Sequence, residues 1–163
     1  ANHSDRKSHT GAIIQLGGAL IWAKSVKQSI VTKSSTEAEL VALSDMASML
    51  LWASLLLAEL GFEQKIAPPL ALQDNKSTIA ITQKGTTSNE RTRHIDTRYL
   101  WIKELLDHGR MAMDYCPTGY MTADIMTKAL GVEAFRRHVL DMNIVDAKDT
   151  RGYLHYLLEH ECR

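Results

Sequence analysis

A mixed α/β layer fold is what this sequence predicts. Short strand-like segments bounded by turn residues alternate with longer segments of helical period, in the order β-β-α-β-α-α-β-α. A chain of 163 residues with 45% hydrophobic content has enough apolar surface for one packed core. No internal repeat or low-complexity tract interrupts the pattern.

The elements follow in order. Residues 1–10 are polar and turn-like, and residues 11–16 (GAIIQL) read as a strand closed by Gly17-Gly18. Residues 19–24 (ALIWAK) read as its hairpin partner, and residues 29–32 as a brief extended segment. A helix starts at Ser34 or Ser35, because Ser34 followed by Glu37 has the spacing of a capping box. Ala38, Val41, Leu43, Ala47, Leu50, Leu51, Leu55 and Ala58 give it a wide apolar face, so it is expected to be central and largely covered. Gly61 is its stop signal. After Pro68-Pro69, residues 70–73 form a short strand ending at Asp74-Asn75, and residues 76–83 a helix. A polar loop leads to a second long helix over about 94–108, with Ile95, Tyr99, Ile102, Leu105 and Leu106 on one face. Gly109 ends it, and residues 111–116 alternate as a strand. Pro117-Thr118-Gly119 reads as a turn, and Thr122 as the cap of a helix containing Asp124. Two further helical pieces follow Gly131.

Composition excludes several classes. With 19 basic and 19 acidic residues the net charge is zero, which argues against a basic protein that coats nucleic acid. Cys116 and Cys162 match no metal-binding spacing and are expected as thiols of a reducing, intracellular compartment. The longest apolar stretch, residues 46–60, is interrupted by Ser48, Ser54 and Glu59 and is too short to span a bilayer, so no membrane partner is expected. The chain starts without a Met and without an apolar signal region, the pattern of a fragment or processed product.

Three acidic motifs carry the chemistry: SSTEAEL at 34–40, QDNKS at 73–77 and ADIMTK at 123–128. Each sits where an apolar run starts or stops, so each places a carboxylate at the end of an element. Taken singly, each has a plain structural reading: a solvated helix acid, an Asx turn after a strand, and a first-turn acid favoured by the helix dipole. Three that converge are what a divalent-metal phosphodiesterase site needs. Arg91, Arg93, Arg98 and Lys103 form the best basic segment for phosphate contact, though not one tidy stripe. Asn75, Ser77 and Asn89 are candidate hydrogen-bond donors to a sugar–phosphate backbone. Trp22, Trp52 and Trp101 lie in apolar contexts and are expected in the core.

These motifs, with RTRHID at 91–96 and DRKSHTG at 5–11, come in one order. In that order they resemble the ribonuclease H domain of Ty1/copia-type retrotransposon polyproteins, in the reverse transcriptase/ribonuclease H portion. The resemblance covers residues 1–131 and implies a ribonuclease H-like fold, a mixed sheet flanked by helices. Residues 132–163 would be a helical C-terminal extension. The resemblance implies endonucleolytic cleavage of RNA in RNA–DNA hybrids. It assigns Glu39, Asp74 and Asp124 as catalytic metal ligands, and leaves Glu37 as the capping-box partner. These acids would hold two Mg²⁺ ions, or Mn²⁺, about 4 Å apart. Asn75, Ser77, Asn89, Arg91 and Arg93 would contact the nucleic acid.

The chain departs from that pattern in two places. The family's first catalytic Asp lies on a first, central strand, and both would fall before Ala1. A protein partner or a preceding segment is therefore expected to supply the strand. Leu100 stands where copia-type domains often carry His, which points to burial or to relaxed constraint. The alternative to a nuclease is a domesticated, inactive ribonuclease H-like subunit of a larger assembly, with the tyrosines and leucines of 153–158 as a docking stripe.

Overall fold

Two glycines with positive φ turn the chain back on itself at the start of the fold. The structure, a computed structural model, describes residues 7–62, 67–84 and 93–145, with backbone alone for 84 and 93–96. Strands β1 (His9–Leu16) and β2 (Ala19–Lys27) pair antiparallel around Gly17 (φ 57°) and Gly18 (φ 79°). Two central residues with positive φ match the twist of a two-residue hairpin, which is why glycine occupies both. Thr10, Ala12 and Ile14 alternate inward on β1. Residues 29–32, expected to be extended, form a bend outside any strand.

Helix α1 (Ser35–Leu57) carries the core. Leu40, Leu43, Ala47 and Leu50 recur at helical spacing and are buried. Leu43, Ala47 and Leu50 pack with Ile14 of β1 and with Ala71, Ile102, Leu105 and Met111. A π-type turn, Ala58–Phe62, closes the helix at Gly61 (φ 86°). Strand β3 (Leu70–Gln73) follows, then helices α2 (Lys76–Lys84) and α3 (Arg93–Asp107). Helix α3 buries Tyr99, Ile102 and Leu105, and its Arg98 pairs with Asp45 of α1 at 2.5 Å. Strand β4 (Ala112–Tyr115) pairs parallel with β3. Two 3₁₀ turns, Thr118–Tyr120 and Thr122–Met126, lead to helix α4 (Val132–Asp141). The end of α4 returns to the hairpin: Leu20 N donates to Met142 O (3.2 Å) and Asn143 Nδ2 to Gly18 O (2.9 Å).

The expected mixed α/β architecture is present, but the strands form two separate pairs, β1-β2 and β3-β4, instead of one sheet. Among the described residues no strand pairs with the second edge of β1 or of β3, so nothing joins the pairs. Helix α1 is covered over only part of its surface. Trp52 (57% exposed) and Leu55 (58%) face out, against the expectation that both belong to the core, because the strand pairs and α3 reach only the opposite face. Trp22 and Trp101 do pack against the core. By length and composition the segment Ser35–Phe62 is apolar enough to cross a membrane, a test that the buried core helix of a globular domain also passes. Leu100 is 60% exposed, so burial does not explain the leucine there. The second helical piece after Gly131 and the 153–158 stripe lie outside the described residues.

Candidate active site

The first acid is placed by a helix cap. Ser34 Oγ accepts from Glu37 N (3.1 Å), and Glu37 Oε2 accepts from Lys33 N (2.7 Å). Glu37 is thereby engaged at the helix start, as the capping spacing predicts. Glu39 lies one turn before Leu43, so it shares the face that packs on the strands.

Asp74 is placed by a strand end and a turn. Gln73 Oε1 accepts from Asn75 N (3.0 Å), and Asn75 Oδ1 accepts from Ser77 N (2.9 Å) and Thr78 N (3.2 Å). Asn75 is therefore the N-cap of α2. Asp74 itself accepts at Oδ2 from Thr118 Oγ1 (3.2 Å).

Asp124 comes from the 3₁₀ turn Thr122–Met126. Thr122 does not cap this turn: the preceding residue is Met121, and no side chain caps it. The turn is too short for a cap box and is held by β1 and β2 instead. Gly11 lies so close that an added Cβ would meet the Thr127 methyl, with Met126 Cβ at 2.9 Å and Ala123 O at 3.1 Å. Ser25 Oγ donates to Met126 O at 2.5 Å. Asp124 Oδ2 accepts from Lys128 Nζ at 2.8 Å.

Glu39, Asp74, Asp124 and Lys128 all face one cavity of about 430 Å³. Its walls are informative. Residues 11–16 of β1 line one side consecutively, and residues 69–74 line the other. Side chains alternate between the faces of a strand, so an unbroken run along a cavity means that the strand presents its edge. Leu43, Met46, Leu50 and Ala53 of α1 also line it. The cavity is thus a slot between two strand edges on an apolar helix, with the acids grouped at one end.

Glu39 feels both its burial and the other two acids. Burial raises the Glu39 carboxyl above its usual 4.5, and the negative charges of Asp74 and, less, Asp124 add to the rise. A hydrogen bond from Gln73 and the Lys128 charge oppose it. Burial and the same two aspartates raise the Cys116 thiol. Among the described residues no three His, Cys, Asp or Glu side chains are gathered closely enough to hold an ion between them. The donor set nevertheless suits a hard cation, being three carboxylates, and the Lys128 ammonium stands among them as a positive charge.

The other expected contacts divide. Ser77 is exposed in the first turn of α2, beside the capping Asn75. Arg93 opens α3, with its backbone alone described, and Asn89 and Arg91 lie outside the described residues. Arg98 and Lys103 are engaged by Asp45 and Asp107. Lys128, Thr118 and Gly11 were not singled out from sequence. Lys128 had a signal in its four-residue spacing from Asp124, and Gly11 in being a glycine within a strand pattern. Thr118 had none, since only the fold brings it to Asp74.

The site is therefore a largely apolar slot with three acids in its wall, in a mixed α/β fold. Over 127 residues (77% of it) the chain is 35% identical to the retrovirus-related Pol polyprotein from transposon TNT 1-94 of Nicotiana tabacum. Over 130 residues (80%) it is 33% identical to the Ty1-JR2 and Ty1-MR1 Gag-Pol polyproteins of Saccharomyces cerevisiae. It spans 9% and 7% of the length of these relatives. No family model matches the chain, and no solved structure matches it. The similarity to one region of retrotransposon Pol polyproteins supports a retroelement origin for this chain.

Proposed function

We propose that the chain is the ribonuclease H-like segment of such a polyprotein and cleaves RNA in RNA–DNA hybrids with divalent metal ions. The observation that carries this reading is that Glu39, Asp74 and Asp124, from three separate elements, face one cavity, where the two aspartates add to the rise of the Glu39 carboxyl. We infer further that an extended segment, from a partner or from preceding polypeptide, adds between β1 and β3 and brings a fourth acid. The facing edges and apolar floor support this: an unpaired edge offers backbone groups to an added strand.

Glu39, Asp74 and Asp124 would hold Mg²⁺ or Mn²⁺, whose preferred ligands are oxygens. When bound, the ions supply an activated water and a stabilised leaving oxygen. The chain's own residues prepare the ligands. Thr118 orients Asp74 through its hydroxyl, and Gly11 and Ser25 hold the turn of Asp124 against the strands. Ser77, Asn75, Arg93, Asn89 and Arg91 would meet the sugar–phosphate backbone, which carries shape and 2′-hydroxyls rather than sequence.

A second reading, an inactive binding subunit, is favoured by two observations: Lys128 pairs with Asp124, and among the described residues no three acids are gathered closely enough for an ion. One experiment separates the two. The chain is extended at its N-terminus by an Asp-bearing strand and given an RNA–DNA hybrid with Mg²⁺. Cleavage is expected, and Asp74→Asn should slow it by about a hundredfold or more. No cleavage by the completed chain would leave the binding subunit as the better reading.

A further inference from the structure

We propose that Lys128 is the resident counter-cation of this cavity and competes with a divalent ion for Asp124. The proposal rests on the three-acid reading above, since it concerns the same pocket. Lys128 Nζ lies 2.8 Å from Asp124 Oδ2, and the two side chains are unequally exposed: 13% for Asp124 and 49% for Lys128. The acid end of the pair is inside, and the ammonium reaches it from the solvent side.

The backbone is tightly turned at Asp124, and Lys128 reaches the carboxylate through a long side chain. Thr127 N and Lys128 N both donate to Asp124 O, at 3.0 and 2.9 Å, so the chain folds back over the aspartate. The close approach of Gly11 and the Ser25 hydroxyl secure the same turn. Lysine, by contrast, is a compact charge on a flexible four-carbon stem. An acid on a tight turn with a cation on a long stem is the arrangement of a competitor. An ion that takes Asp124 must first displace the ammonium, which is then a point charge suited to phosphate.

An ordinary exposed ion pair four residues apart does little. Lys103 and Asp107 on α3 form such a pair at 2.9 Å, with Asp107 57% exposed. Lys128 differs because it lines the cavity and its charge also reaches Glu39, which belongs to another element. Lys103 is therefore the internal control.

The test is Mn²⁺ binding by the full chain without nucleic acid, read from the electron paramagnetic resonance of free Mn²⁺. Lys128→Met should bind about tenfold more tightly than the parent. Adding Asp124→Asn should remove that gain, and Lys103→Met should match the parent. Lys128→Gln gives the same comparison with a polar side chain, and urea midpoints verify that each variant is folded. Unchanged or weaker binding by Lys128→Met, or a gain that survives Asp124→Asn, would overturn the proposal. Hybrid cleavage by the strand-completed chain is scored separately. A Mn²⁺ gain without cleavage keeps the role of Lys128 and drops the nuclease; cleavage without the gain does the reverse.

Discussion

Glu39 bears the electrostatic strain of the cavity. Its carboxyl is raised above 4.5 first by burial and then by Asp74. A group with a raised folded-state pKa contributes fully below its unfolded value, and that contribution is lost as pH rises through the folded value. The carboxylate therefore opposes folding at neutral pH. Glu39→Gln should stabilise the chain by about 1 kcal/mol at pH 7, within the range of relieved unfavourable groups. The gain should vanish below about pH 4.5, where the parent side chain is neutral as well. Urea midpoints at pH 4 and pH 7 check this, and an equal difference at both would assign the effect to packing instead of charge. At this scale the sequence was legible wherever a residue's job is local. The Ser34–Glu37 spacing already separated a capping acid from Glu39. It was not legible where the partner is remote: nothing around Thr118 points to Asp74, and nothing around Arg98 points to Asp45.

Between elements, β1 approaches the turn that carries Asp124 closely at Gly11. Gly11 leaves no room for a methyl there, because Met126 Cβ and Ala123 O would lie 2.9 and 3.1 Å from it. Gly11→Ala should cost about 1–3 kcal/mol, the range for overpacking a close contact. It should also weaken Mn²⁺ binding, since the turn must move with Asp124 on it. Thr127→Ala, which removes the nearest methyl, should restore part of the lost stability in thermal unfolding. The hairpin and the two long helices fell where period and turn chemistry put them, because glycine at 17–18, 61 and 109 marks the hairpin turn and both helix ends by a positive φ. The exposed face of α1 was not legible. Its apolar residues run nearly all round the helix, and period cannot choose between faces when both are apolar.

For the whole molecule, the division of the strands into two pairs governs behaviour. Amides on the unpaired edges of β1 and β3 should exchange with deuterium faster than those of α1 around Ala47, which is fully buried. Extending the chain by the acid-bearing strand should protect residues 11–16 and 70–73 selectively. Equal protection before and after would mean that the slot is not where the strand goes. The division into two pairs was not legible from the sequence, because period shows strands and not their neighbours. The clasp between the hairpin turn and the end of α4 has a consequence for the order of synthesis. Gly18 is joined to Asn143, 125 residues later. A lone two-stranded hairpin is marginal in water. On a ribosome adding about 5–20 residues per second, the first hairpin would wait roughly 10 s for that clasp. The hairpin is thus made well before the helix end that secures it.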